Sequence, residues 1–312
     1  MRILLAPMEG LLDCVLRDIL TRVGGIDLCV SEFVRVSGSL LPNRTFQRIV
    51  PELDHDSKTL AGVPVRVQLL GSDSHFMALN AARLAALKPD SIDLNFGCPA
   101  KTVNRHGGGS ILLREPDRLL ELVTAVRTAI PPEMMLTAKM RLGYEDKTLA
   151  LDCARAIEAG GATELVVHAR TKVEGYKPPA HWEWIGRIQD VLQIPVIANG
   201  EIWTVADYQR CREISGVEDV MLGRGMVANP ALAHLIKYGE DDAVRWAQLE
   251  SLLADFWMLV TRHTLPKYHC GRAKQWLNYL RQTYPEAEVL YQTVRTVTEP
   301  EKMAEILSPP VQ

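Results

Sequence analysis

The chain has 312 residues, 47% of them apolar and 23% charged, a composition ordinary for a soluble globular enzyme built as one large domain or a large domain plus a small one. A net charge of −3 excludes a molecule that attracts nucleic acid over its whole surface, so any polyanion site must be a local patch. The six cysteines form no Cys-x-x-Cys pair, which argues against a zinc site or a disulfide framework and for a reducing cytoplasm; the opening "MRILLAPMEG" is too short for a signal peptide, and no stretch approaches a membrane span.

In chain order, eight short apolar or β-branched runs recur: "RILLAP", "DLCVSEFV", "VPVRVQLLG", "SIDLNFG", "MLTAKMRLG", "ELVVHAR", "IPVIANG" and "DVMLGRG". Between them lie segments such as "HFMALNAARLAALK", "PDRLLELVTAVRTAI" and "TLALDCARAIEAG", whose apolar residues have helical spacing. Eight such units in about 240 residues predict a parallel (β/α)₈ barrel, with a doubly wound open sheet as the main rival. After Tyr238 the rhythm changes. "RWAQLESLLADFWMLVTRHTL", "GRAKQWLNYLRQTY" and "EAEVLYQTVRTV" read as helices without strands, so the chain divides into a barrel over 1–240 and a small all-α domain over 241–312. From Phe256 to Pro285 there is no Asp or Glu, while Arg262, Lys267, Arg272, Lys274 and Arg281 stand among Tyr268, Trp276 and Tyr279. That stretch is a positive patch in an acidic protein, or an ordinary basic helix face.

Barrel chemistry sits where strands end at the C-terminal face. Here those ends are polar or glycine-rich: Pro7-Met8-Glu9-Gly10, Gln68, Asn95 and Cys98, Lys139 and Arg141, His168 and Arg170, Asn199-Gly200-Glu201, and Gly223-Arg224-Gly225. Glycines after the seventh and eighth runs let backbone N–H groups approach an anion, and barrels commonly bind phosphate there. With Lys139 and Gln68 facing the middle of the rim, a phosphorylated cofactor across the mouth is expected; a cation near the pyrimidine end of a flavin stabilises its reduced form. Cys98 stands in "LNFGCPAKTVNRHGGG", at the polar exit of an apolar run, where a buried structural thiol is not expected.

The chain resembles the tRNA-dihydrouridine synthases over nearly its whole length. The resemblance runs through "LAPMEG", "RVQLLG", "DLNFGCPAKTVNRHGGGSILL", "KMRLG", "VVHART", "PVIANGEI" and "MLGRG", then a tail with "AKQWLNYLR". The opening, "LCVSEFVRV" and "KQWLNYLR" look most like the bacterial C-type branch, which acts on the uridine at position 16 of the D-loop. The resemblance implies tightly bound FMN held by Pro7, Met8, Glu9, Gln68, Lys139, His168, Asn199, Gly200, Glu201, Gly223 and Arg224, and NADPH as reductant. It implies Cys98 as general acid, since reducing the uracil 5,6 double bond takes a hydride to C6 and a proton to C5, and a thiol of ordinary pKa stays protonated near neutrality. Asn95 and Arg141 would hydrogen-bond the flipped uracil. Phe96 departs from the family, where many relatives carry a small or sulfur-containing residue.

The tRNA is expected across the gap between barrel mouth and tail, on Arg35, Arg272, Lys274, Gln275, Trp276 and Arg295, with Trp276 alternatively a core residue of the helical domain. A cytoplasmic monomer without metal or membrane attachment is expected. Two rivals differ in what they need: a flavin dehydrogenase of a free pyrimidine such as dihydroorotate has no use for the acid-free basic tail, and a non-catalytic tRNA-binding protein has none for Cys98, Lys139 and His168 together.

Overall fold

The computed structural model of the protein describes residues 1–239 and 244–307. The expected boundary between residues 240 and 241 lies outside the described residues. All eight runs are strands, in nine segments: β1 (Ile3–Leu5), β2 (Leu28–Val30), β3 (Val34–Arg35), β4 (Val65–Leu70), β5 (Ile92–Phe96), β6 (Leu136–Arg141), β7 (Leu165–His168), β8 (Val196–Asn199) and β9 (Val220–Leu222). Every pairing between them is parallel, and β1 pairs both β2 and β9, so the sheet closes on itself as the predicted barrel. The segments β2 and β3 share the second barrel position, since both pair with β4. Cys29 lies opposite Val65 and Val34 opposite Leu69, so the second strand carries one residue more than its partner between these points, a β-bulge.

Helices α1 (Cys14–Val23), α2 (Asn43–Ile49), α3 (Ser74–Ala85), α4 (Lys101–Arg105), α5 (Pro116–Ala129), α6 (Ala150–Ala159), α7 (Trp182–Gln189), α8 (Val205–Ser215), α9 (Arg224–Ala228) and α10 (Leu232–Tyr238) connect and surround the strands. Their starts are chemically marked. Asp13 accepts from the Leu16 N–H, Asp73 from the Phe76 N–H, Thr204 and Asp207 form a reciprocal capping box, and Pro116 opens α5, each satisfying or removing an N–H with no partner inside the helix. The outer faces of the strands and inner faces of these helices form one continuous apolar core, from Ile3 and Leu5 around to Val220 and Leu222. Inside the barrel the lining is divided. Leu4, Ala6, Val30, Val166, Ile197 and Met221 form an apolar sector, while β4 to β6 turn Arg66, Gln68, Asp93, Asn95 and Thr137 inward. The buried Arg66 is matched by Glu164 at 2.6 Å, as a charge without water requires.

After residue 244 come α11 (Trp246–His263), α12 (His269–Leu280), α13 (Pro285–Val294) and α14 (Pro300–Leu307), the last without a counterpart in the sequence expectation. They pack on the barrel through Trp276, whose ring meets Phe256 edge-on at 4.8 Å and whose indole N–H donates to the Val227 carbonyl at 3.3 Å. Arg22 of α1 reaches Asp255 of α11 at 2.7 Å. No helix among the described residues is long and apolar enough to cross a membrane.

Candidate active site at the barrel mouth

A cavity of about 650 Å³ opens at the C-terminal ends of the strands. It is bordered by Pro7, Met8, Glu9, Gln68, Asn95, Cys98, Lys139, Arg141, His168, Asn199, Gly200, Glu201, Gly223, Arg224 and Gln275. The expected catalytic and cofactor residues therefore meet at one rim, although they come from seven positions around the barrel.

The floor is a chain of mutually oriented amides. Asp93 accepts from Thr137 at 2.6 Å and from the Gln68 Nε2 at 2.7 Å; Gln68 Oε1 accepts from Asn95 Nδ2 at 2.6 Å; Asn95 Oδ1 accepts the backbone N–H groups of Gly97 and Cys98 at 3.0 and 2.9 Å. Asn95 thereby fixes the turn that carries Cys98. The same loop is pinned from outside, because the Cys98 carbonyl accepts from the Ser110 N–H, the Ser110 hydroxyl and Asn104 Nδ2. Gly109 is required beside it: at φ +68°, its Cβ would stand 2.8 Å from that carbonyl. Cys98 itself is 9% exposed and packs against Leu70 and Val103. Burial raises its pKa above the usual thiol range, against a backbone hydrogen bond from Ala100 that lowers it, so the thiol holds its proton at neutral pH. Phe96 lies in the core outside the barrel, on the opposite face of its strand from Asn95, so the departure at this position does not touch the mouth.

Among the described residues, two cations stand in the mouth without a carboxylate in direct contact. Lys139 donates to Asn199 Oδ1 at 2.9 Å, and Asn199 Nδ2 donates to the Met221 carbonyl at 2.8 Å. Burial, followed by repulsion from Arg141, pulls the Lys139 pKa down to about 7. Arg141 donates Nε to the Gly97 carbonyl and Nη1 to those of Thr171 and Gly175, at 2.9 to 3.1 Å, and burial lowers its pKa too. Burial, with the nearby cations, holds His168 well below its usual pKa, so the imidazole is neutral; its Nδ1 is buried with no hydrogen-bond partner among the described residues.

At the far side, Gly200 has φ +116° and Glu201 φ +61°, a left-handed pair that only glycine adopts freely. A Cβ on Gly200 would lie 3.2 Å from the His168 ring, and one on Gly225 would lie 2.3 Å from the Ile202 carbonyl. The Glu201 carboxylate pairs with Arg170, which holds the strained turn, and lies 3.9 Å from Arg224. These glycines leave backbone open to the cavity where an anion can approach. A neutral imidazole with an open nitrogen, a buried ammonium and this turn together fit a flat, phosphorylated ring system. Among the described residues no group of three or more His, Cys, Asp or Glu could hold a metal ion.

Tyr176 has no signal in the sequence beyond being aromatic. It sits in the loop after β7, over the mouth, with the Arg141 and Arg224 guanidinium carbons 5.1 and 4.8 Å from its ring centre and His168 edge-on at 5.9 Å. Phe33, Trp203 and Tyr279 also border the cavity without having been expected.

The expected RNA contacts divide. Arg35 and Arg295 are exposed and Lys274 is half-buried. Arg272 is tied to the barrel's first loop: it pairs with Asp13 at 2.8 Å and donates to the carbonyls of Leu11 and Gly10 at 3.0 and 3.3 Å, while Gln275 donates to Gly10 at 3.0 Å. Trp276, 1% exposed, is the core residue of the alternative reading and has no face to offer a base, because its ring fills the joint between α11, α12 and α9.

A family model described as dihydrouridine synthase matches residues 4–309. The chain is 56% identical over 312 residues to a tRNA-dihydrouridine(16) synthase of Aquipseudomonas alcaligenes, covering 99% of each chain, and 49% identical to that of Neisseria meningitidis serogroup A, covering 98% of this chain and 94% of the other. Among solved structures, morphinone reductase in complex with tetrahydroNAD superposes with a TM-score of 0.53 at 14% identity, over 78% of this chain and 88% of that one. The old yellow enzyme homologue from Zymomonas mobilis superposes with a TM-score of 0.52, also at 14% identity, over 75% and 87%. At that identity the structural likeness concerns the barrel fold.

Proposed function

Because this chain belongs to the dihydrouridine synthase family, we propose that it reduces a D-loop uridine of tRNA, at position 16, to 5,6-dihydrouridine, with tightly bound FMN and with NADPH as reductant. One observation carries this reading: a thiol that keeps its proton, Cys98, stands on the wall of a cavity whose floor presents Lys139, Gln68, Asn199 and His168. When bound, FMN supplies the hydride that reaches C6 of the uracil, replenished from NADPH.

Everything else is the work of the protein. Lys139 places positive charge at the pyrimidine edge of the ring system, where the reduced form is anionic, and neutral His168 adds a hydrogen-bonding nitrogen without a second full charge. Pro7, Met8, Glu9, Gln68, Asn199, Gly200, Glu201, Gly223 and Arg224 complete the cofactor's bed, with the backbone of Asn199, Gly200, Glu201, Gly223 and Arg224 facing its phosphate. Asn95 and Arg141 hold the extruded uracil, and Asn95 also fixes the turn beneath Cys98, so substrate and acid share one reference point. The Cys98 thiol delivers its proton to C5. The helices from residue 244 onward add RNA-binding surface to the barrel, with Lys274 and Arg295 on the tail and Arg35 on the barrel contacting phosphates. The protein works as a cytoplasmic monomer without a metal.

The test uses a tRNA transcript that contains no dihydrouridine. The purified protein should be yellow and, given NADPH, convert one D-loop uridine; position 16 is read by mapping the product. Cys98→Ala should retain flavin and tRNA affinity and lose about 10²–10⁴-fold in turnover, the range of general acid catalysis. Wild-type turnover in that variant removes Cys98 from the mechanism, and colourless, inactive wild-type protein removes the whole reading.

A further inference from the structure

Beside the main cavity lies a second of about 250 Å³, and Glu9, Phe33 and Ala100 border both. The rest of its wall is rich in donors: Arg35 from β3, Thr45 and Arg48 from α2, and Thr102 from α4. Its single carboxylate, Glu9, belongs to the wall shared with the main cavity. Among the described residues, neither arginine has a carboxylate partner. Among them Arg35 has one hydrogen-bonding neighbour, Nδ1 of His106 at 3.2 Å, and that nitrogen is itself 2.6 Å from the Thr102 carbonyl. Arg48 is exposed and has no hydrogen bond or ion pair.

Two guanidinium groups and two hydroxyls around one concavity suit the non-bridging oxygens of a phosphate and the hydroxyls of a sugar. The space accommodates a phosphate with its ribose and not a dinucleotide. Its position narrows the source further, since a polymer with one unit in the main cavity must carry the next unit past the wall formed by Glu9, Phe33 and Ala100.

We propose that this side cavity binds the phosphate and ribose of the nucleotide adjoining the reduced uridine. The proposal rests on the reading of the main cavity as the place where a tRNA uridine is reduced. Arg35 and Arg48 grip the linking phosphate, and Thr45 and Thr102 supply hydroxyl contacts. The strand is held on both sides of the wall, which keeps the target base out of its stack while the uracil is reduced.

The experiment compares Arg48→Ala with Arg44→Ala, a loss of the same charge from the same exposed helix but outside the cavity. In the flavin-loaded protein, Arg48→Ala should weaken tRNA binding about tenfold, as expected for one charge-assisted contact to phosphate. It should lower the slope of log K against log salt by about 0.7. Flavin content and flavin reduction by NADPH should match wild type, and Arg44→Ala should change none of these. A tRNA with a methylphosphonate at one of the two linkages flanking the target uridine should bind wild type about tenfold more weakly and bind Arg48→Ala with no further loss. Equal weakening by both arginine variants overturns the proposal in favour of a diffuse field. Slower reduction by NADPH with tRNA binding intact assigns the cavity to the reductant's phosphate instead. If wild type makes dihydrouridine and Arg48→Ala binds tRNA as wild type does, the side cavity falls and the reading of the main cavity stands.

Discussion

The barrel mouth and the C-terminal helices both carry clustered cations, and Lys139 and Arg141 in the mouth are held in the opposite way to Arg272 and Arg281 in the tail. In the mouth, Lys139 and Arg141 are buried together, bonded to an amide and to carbonyls with no carboxylate in contact among the described residues, and burial depresses both pKa values. In the tail, Arg272 is paired with Asp13 and Arg281 with Glu288, at 2.8 and 3.2 Å. The stretch from Phe256 to Pro285 is free of acids in sequence, but the acids that answer Arg272 and Arg281 come from the residue capping α1 and from α13. Proximity along the chain is therefore a poor guide to net field, whereas an uncompensated buried charge is costly enough to imply a task.

Trp276 gives the largest test of the tail's side of this contrast. Trp276→Ala should destabilise the protein by about 3–5 kcal/mol, the cost of emptying a large aromatic site in a core, read by urea unfolding. An RNA-stacking tryptophan would instead leave the unfolding curve in place and weaken tRNA binding, which would make the tail a functional surface at its centre.

The mouth's side is sharpened by pH. In flavin-free protein, Lys139 titrates near 7 when folded and near 10.5 when unfolded, so between those values the unfolded chain holds a proton the folded chain lacks. Stability then rises with pH across that window, and below about 7 the folded state carries the full cost of the buried charge. Lys139→Met should be the more stable protein at pH 6, on the order of 2 kcal/mol, and should lose that advantage as pH approaches 10.5. A constant difference from pH 6 to 10 would mean that Lys139 is as well compensated as Arg272.

The smallest effect belongs to Lys274, which has no carboxylate partner among the described residues. Lys274→Ala should leave unfolding unchanged and lower the salt slope of tRNA binding by roughly 0.7–0.9, one phosphate contact. An unchanged slope would extend the structural role of Arg272 and Trp276 to the whole basic stretch.

The strands and the rim were legible because both obey short-range rules. Apolar runs of four to six residues mark strands buried on both faces, and residues at the ends of those runs must lie at one rim if the sheet closes. Cys98, Lys139, His168 and Gly200 could be found that way. Tyr176 could not, since it reaches the mouth from a loop whose path depends on Arg141 bonding to Thr171 and Gly175. The ties of Arg272 to the barrel were not legible for a related reason: its partners, Gly10, Leu11 and Asp13, lie some 260 residues away in sequence. The interior amide chain from Asp93 to Asn95 was only half visible, because Gln68 and Asn95 looked like ligands for other molecules and not for each other.

The extra residue between Val30 and Val34 changes more than the shape of one strand. Along β2 the even-numbered Val30 pairs with inward Arg66, while along β3 it is the odd-numbered Arg35 that pairs with inward Leu70 and Val34 that faces the outer core. One residue has inverted the parity of the strand. Deleting any one of Ser31, Glu32 or Phe33 would exchange Val34 and Arg35 between the two faces, driving a guanidinium into the helix-covered core and leaving a valine at the rim. In this barrel, an indel of one residue at that point would act as an all-or-none substitution of the chemistry beside Cys98, and chain length there is a coding variable in its own right.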